Sequence, residues 1–129
     1  MLSIAAKHAI RSLLHLAKRE EDQFLSVRQL ASETEIPPAY LSKILKILSD
    51  AGLLESKKGA GGGVRLMPRI VSFYEVCEAL RDPIVLEKCF LFESRCSEIS
   101  PCPFHEIWQA ERRRFLTFLH DSKIRASKE

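Results

Sequence analysis

Apolar residues recur at helical spacing in five stretches of the chain, and the gaps between them carry turn and strand signals. Residues 3–19 place Ala6, Ile10, Leu13, Leu14 and Ala17 on one face, which predicts an amphipathic helix ended by the polar run Arg19–Gln23. Ser26 and Gln29 have the spacing of a capping box and predict a short helix to about Ser32, with Val27, Leu30 and Ala31 inward. Thr34 and Glu35 read as a turn. Pro37 and Pro38 suit the entry to a third helix, which runs to about Ala51 with Gly52 as its C-terminal stop. Its inward stripe is Leu41, Ile44, Leu45 and Leu48, leaving Tyr40, Ser42, Lys43 and Lys46 outside.

Residues 53–57 and 64–67 read as two short strands joined by Gly59-Ala60-Gly61-Gly62-Gly63, a hairpin with a glycine-rich tip. Ser72 and Glu75 form a second capping box and open a helix over about 73–81, with Phe73, Val76, Cys77 and Leu80 on its buried face. Periodicity is lost from Asp82 to Pro103. A last helix, from about Pro103 to Ser122, carries the apolar stripe Ile107, Trp108, Phe115, Phe118 and Leu119. So large a stripe on a terminal helix requires a cover, either the first helix or a second subunit. The division expected is residues 1–81, 82–103 and 104–129.

Helix, short helix, turn, helix and hairpin is the order of a winged helix-turn-helix, so the fold class expected is mainly α with a small β wing and a long C-terminal helix. In that arrangement the second helix of the pair enters the major groove of duplex DNA. Charge agrees with this reading. The net charge of the 129 residues is only +3, but residues 36–69 hold Lys43, Lys46, Lys57, Lys58, Arg65 and Arg69 against Asp50 and Glu55. A local basic field attracts phosphates. The candidate DNA-contacting residues are Arg28, Pro38, Ala39, Tyr40, Ser42, Lys43 and Lys46 on the helices, and Lys57, Lys58, Gly61, Gly62 and Arg65 on the wing. Glycine would let the wing backbone approach a groove. A phosphate loop is ruled out, because Gly63 leads into Val64 and Arg65 and not into the Gly-Lys-Ser/Thr that opens a helix. No nucleophile–base pair or paired carboxylates point to an enzyme.

Neither a signal peptide nor a membrane-spanning apolar run is evident, so a cytoplasmic location is expected. Thiols are then reduced, which favours metal or redox chemistry over disulfides. Of the four cysteines, Cys77 falls on a buried helical stripe and reads as a small hydrophobe. Cys89, Cys96 and Cys102 fall in the irregular segment as C-x6-C-x5-C, with His105 three residues on. Soft thiolates suit an iron–sulfur cluster or zinc. The tight cysteine pairs of structural zinc sites are missing, but the spacing alone leaves cluster, zinc and redox thiols open. His8 and His15 read as surface or interface residues, His8 also as a ligand offered to a partner subunit's loop.

The chain resembles the IscR/NsrR family of iron–sulfur regulators (the Rrf-two family) over nearly its whole length. The resemblance is carried by residues 7–11 (KHAIR), 38–45 (PAYLSKIL), 48–54 (LSDAGLL), the wing 59–66 (GAGGGVRL) and 102–108 (CPFHEIW). It implies a homodimeric DNA-binding repressor or activator whose C-terminal helix crosses to the partner, with a cluster held by Cys89, Cys96 and Cys102. In one branch a histidine at the place of His105 completes the ligand set; in the other an acidic residue on the partner's first helix does. Here that second position is Lys7, which points to His105 and to a 2Fe–2S cluster over a 4Fe–4S one. The first cysteine gap is one residue longer than the commonest pattern, and Ala60 stands where proline is frequent.

Overall fold

Ser3 accepts the amide of Ala6 with its hydroxyl and so starts α1 (Ile4–Lys18). In the computed structural model, which describes residues 2–19, 23–87, 90–91 and 102–126, this helix is the central strut. It buries Ala6, Ala9, Ile10, Leu13, Leu16 and Ala17, and the small residues among them let neighbouring helices approach closely. Ser12 is also buried, its hydroxyl donating to the carbonyl of His8 at 2.8 Å.

α2 (Val27–Thr34) begins where Ser26 accepts the amide of Gln29, the half of the expected capping box found here. It ends on Glu35 in the left-handed conformation, φ 58°. Arg11 reaches across from α1 and donates to the carbonyl of Thr34 at 2.7 Å, satisfying a helix-end acceptor. α3 (Pro38–Asp50) opens on Pro38, where a missing amide costs nothing, and buries Leu41, Ile44, Leu45 and Leu48. Ala51 caps it and Gly52 turns the chain at φ +78°. Burying each such leucine stabilises the fold by about 1.5–3 kcal/mol.

β1 (Leu54–Lys57) and β2 (Gly63–Leu66) pair antiparallel, Leu54 opposite Leu66 and Glu55 opposite Arg65. Leu25 adds a bridge to Val64 through two backbone bonds of 2.9 Å, so the wing is tied to the entry of α2. β3 (Val71–Ser72) leads into α4 (Phe73–Ala79), whose capping box is complete: the Ser72 hydroxyl accepts the amide of Glu75, and the Glu75 carboxylate accepts the amide of Ser72. α4 is shorter than the sequence pattern implies, because Leu80 caps it and Arg81 turns left-handed at φ 53°.

α5 (His105–Asp121) packs on α4, and the residues after it return to the same body: β4 (Lys123–Ile124) pairs antiparallel with β3. That ribbon is not foreseen in the sequence pattern. The main core joins α1, α2, α3, the wing and Ile124; a second one joins Ala6, Cys77, Ile84 and Leu119 beneath Trp108 and Phe115. The helix-turn-helix, wing and long last helix agree with the fold class expected.

Candidate nucleic-acid interface and cysteine site

The first turns of α3 present Pro38, Ala39, Tyr40, Ser42 and Lys43 to solvent, followed by Lys46 and Ile47, while the opposite face is sunk in the core. Tyr40 is held by the ring of His8, edge to face at 5.6 Å, so α1 orients a side chain of the exposed helix. Lys46 lies 3.4 Å from Asp50, but both are exposed and such a pair is worth little. Arg28 is exposed on α2.

On the wing, Lys57 and Lys58 are exposed. Arg65 is held in place: its Nε donates to Glu55 Oε2 at 2.9 Å across the strand pair, and its guanidinium lies 4.5 Å from the centre of the Phe24 ring. Lys57 Nζ lies 5.8 Å from the same ring. Cations over an aromatic face are attracted to its π cloud, so Phe24 organises two wing cations. Sequence reasoning missed Phe24 and the role of Glu55; the pairing signal was the hairpin register, which sets Glu55 opposite Arg65. Gly61 sits in open space at φ +76°. Gly62 and Gly63 have an internal reason to be glycine, since a Cβ at Gly62 would overlap the carbonyl of Lys57, and one at Gly63 that of Leu25.

Cys89 and Cys96 lie outside the described residues. Cys102 is half-buried just before α5, and His105 opens that helix, its amide donating to the Cys102 carbonyl at 3.1 Å. The two stand within one turn of each other. Among the described residues no group of three or more histidine, cysteine or acidic side chains is placed to hold a metal ion. The stretch that leads toward Cys89 is nonetheless fixed. Asp82 is buried, accepting the amide of Ser3 at 2.8 Å and that of Ile84 at 3.0 Å, which ties it to the start of α1. Buried Arg112 donates through Nε and Nη2 to the carbonyl of Ile84, at 3.0 and 2.6 Å. Phe90, the residue after Cys89, packs on Trp108 with ring centres 5.2 Å apart. Arg112, Trp108 and His105 succeed one another along one face of α5. Ile84 and Phe90 therefore meet that face in order, moving toward the turn that holds Cys102 and His105.

Three observations bear on what this region could hold. Thiolates and imidazole are donors that suit iron–sulfur and zinc centres. The Nε1 of Trp108, beside Phe90, is a buried donor with no hydrogen-bond partner among the described residues. Packing on α5 brings the neighbour of Cys89 to the same helix end as Cys102. The residues present therefore fit a cysteine-ligated group. Cys77 stands apart: it is fully buried, and burial, with the charge of Asp82 second, pushes its thiol up to about 12. It should stay unmodified by iodoacetamide at pH 8 in the native protein, as read by peptide mass spectrometry, while denatured protein labels there. Because the folded-state thiol titrates above its ordinary value of 9.0, its contribution to stability is complete below pH 9 and is lost as pH rises toward 12.

The stripe on α5 divides. Leu119 is buried inward and Trp108 lies against Phe90, whereas Ile107 and Phe118 are 67% and 53% exposed. No helix among the described residues is long and apolar enough to cross a membrane.

Residues 2–126 match the family described as Rrf2, iron-dependent transcriptional regulator. A putative HTH-type transcriptional regulator of Aquifex aeolicus is 28% identical over 129 residues, covering 97% of this chain and 89% of that one. The HTH-type transcriptional regulator NsrR of Halalkalibacterium halodurans is 32% identical over 96 residues, 73% of this chain and 66% of that one. Among solved structures, CymR, the global cysteine regulator of B. subtilis, superposes with a TM-score of 0.75 at 22% identity, over 95% of this chain and 92% of that one. IscR of T. potens does so with a TM-score of 0.70 at 18% identity, over 95% and 82%. Regulators of this kind are DNA-binding proteins and not enzymes. With a winged helix-turn-helix, a basic exposed helix and a match over nearly all its length, the chain belongs to the Rrf2 family of winged-helix transcription regulators.

Proposed function

We propose that the chain works as a homodimeric repressor that reads duplex DNA with α3 and the wing and senses iron–sulfur, nitric oxide, iron or redox status through a cluster held by Cys89, Cys96, Cys102 and His105. The observation that carries the sensing half is the pinning of Ile84 by Arg112 and the ring contact of the largely exposed Phe90 with Trp108, in order along α5 toward the helix end that bears Cys102 and His105. A family described as iron-dependent supports it. The bound group, a 2Fe–2S cluster with His105 as fourth ligand, would supply a centre whose ligand bonds respond to oxidants, nitric oxide and iron supply. The chain's own residues do the rest. Asp82 ties the chain to the start of α1 and the Ile84 carbonyl ties it to Arg112 of α5, so on this scheme a change at the cysteines that follow is passed to both helices. The exposed Ile107 and Phe118 of α5 offer the apolar surface on which a second copy would pack. In a dimer, any change in how the two α5 helices meet alters the distance between two α3 helices, which DNA half-sites fix at about 34 Å. On this scheme residues 1–81 read DNA, 82–103 sense, and 104–129 dimerise.

Anaerobic purification with iron, sulfide and visible-absorption analysis tests the proposal. A brown protein with iron and sulfide in equal amounts is expected, and loss of both in Cys89→Ser, Cys96→Ser and Cys102→Ser variants. A colourless, iron-free protein would overturn it and move the signal to zinc or to thiols.

For the DNA half, Lys43→Ala and Arg65→Ala should weaken binding to all duplexes alike. Each should also lower the slope of log affinity against log salt by about 0.9 for every phosphate left without its cation, doubled in a dimer. Glu55→Gln should act oppositely, since it removes the anion beside Arg65. Fluorescence-anisotropy titrations between low and moderate salt would check both signs.

A further inference from the structure

Trp108 holds the chain's only indole. Its Nε1 is a donor with no acceptor capacity, and that atom is buried without a partner among the described residues. Buried donors are nearly always satisfied. Among the described residues it packs against the cluster of Ala6, Cys77, Ile84 and Leu119, and Phe90 lies beside its ring. Next to it, one helical turn away, is His105, and Cys102 precedes that turn. Phe90, which follows Cys89 in sequence, meets the indole itself. An unsatisfied donor one helical turn from His105 calls for an acceptor that the described residues around it do not offer, and thiolates and sulfide are acceptors with no proton to give.

We propose that the Trp108 indole N–H donates a hydrogen bond to an anionic sulfur of the cysteine site, a ligand thiolate or the sulfide of the bound group, and so tunes the ease with which that site is reduced. This rests on the cluster reading of the cysteines. Hydrogen bonds to cluster sulfurs set reduction potential because they stabilise the more negative, reduced state. Trp108 is thus a positioning and tuning residue, and its neighbour Arg112 holds the segment that presents the acceptor.

The single indole makes the test direct. Protein labelled with nitrogen-15 at tryptophan gives one indole N–H signal, to be recorded with the site stripped, loaded with zinc alone, and loaded with iron and sulfide. A downfield shift with slowed hydrogen exchange in both loaded forms assigns the acceptor as a thiolate; the same change with iron and sulfide alone assigns it as sulfide. Trp108→Phe keeps a ring against Phe90 and removes the donor. It should load the same iron and sulfide as the parent and show a lower midpoint potential. An indole signal indifferent to both loadings, or equal potentials in fully loaded parent and variant, would overturn this inference and leave the cluster reading standing. A chain that takes up neither iron nor sulfide under reconstitution would bring down both.

Discussion

Gly63→Ala is expected to unfasten the wing. Gly63 sits at φ +139°, a conformation closed to side chains, and an added Cβ would overlap the carbonyl of Leu25 and come within 2.8 Å of the Ser26 amide. Those atoms are backbone and give way only if the chain moves. Leu25 is bound to Val64 by two bonds of 2.9 Å, and Ser26 caps α2, so the strain falls where wing and helix-turn-helix join. A cost of about 2–3 kcal/mol is expected from backbone strain and the broken bridge. Chemical denaturation would show a lower midpoint with an unchanged slope. Duplex affinity should fall by more than the global loss implies, because Arg65 and Lys57 depend on Phe24, the neighbour of Leu25, for their placement. Gly61→Ala provides the contrast: at φ +76° it is strained but meets nothing, so its effect should be smaller.

The second large effect is expected at Arg112→Ala. The guanidinium is buried, and its two bonds to the Ile84 carbonyl tie α5 to the segment leading to the cysteines. Removing it strips a buried carbonyl of its donors, which costs about 1–3 kcal/mol, and leaves a cavity where the long side chain packed. Arg112→Lys should recover part of this, since an ammonium can reach the carbonyl but cannot fork two bonds onto it. The diagnostic readout is not stability alone. If Ile84 and Phe90 align the cysteines along α5, Arg112→Ala should lose iron to a chelator several-fold faster than the parent, at temperatures where both are folded. A variant that is less stable yet holds iron as well as the parent would separate Arg112 from the sensing site.

Much of this architecture was legible in the sequence because it rests on strong local signals. Pro38 at the start of α3, Gly52 after its end and the reciprocal pair Ser72 and Glu75 fix three boundaries by chemistry that needs no tertiary context. The inward stripes of α1 and α3 follow from 3.6-residue spacing alone. What escaped depends on contacts between distant residues. A two-residue strand such as Val71–Ser72 shows no alternation, so its pairing with Lys123–Ile124 could not be read. Arg112 resembles any solvated helix arginine until Ile84 is placed against it. Phe24 became part of the wing only through the Leu25–Val64 bridge. The stripe of α5 looked like one surface and is two, because Leu119 and Trp108 turn toward the second core while Ile107 and Phe118 turn away. For the cysteine site the spacing pointed to the ligand type, and the structure adds that Ile84 is held by Arg112 and that Phe90 touches Trp108, with Cys89 and Cys96 lying outside the described residues.

Coupling between a sulfur-ligated group and DNA reading in one chain is directly measurable. Duplexes selected from a random-sequence pool by anaerobically prepared protein would be titrated with the loaded and the iron-stripped chain at one salt concentration. A change in affinity of about 5–150-fold between the two, confined to the selected sequence, is expected for an allosteric coupling of about 1–3 kcal/mol. Equal affinity of the loaded and stripped forms for the selected and for scrambled duplexes would contradict it.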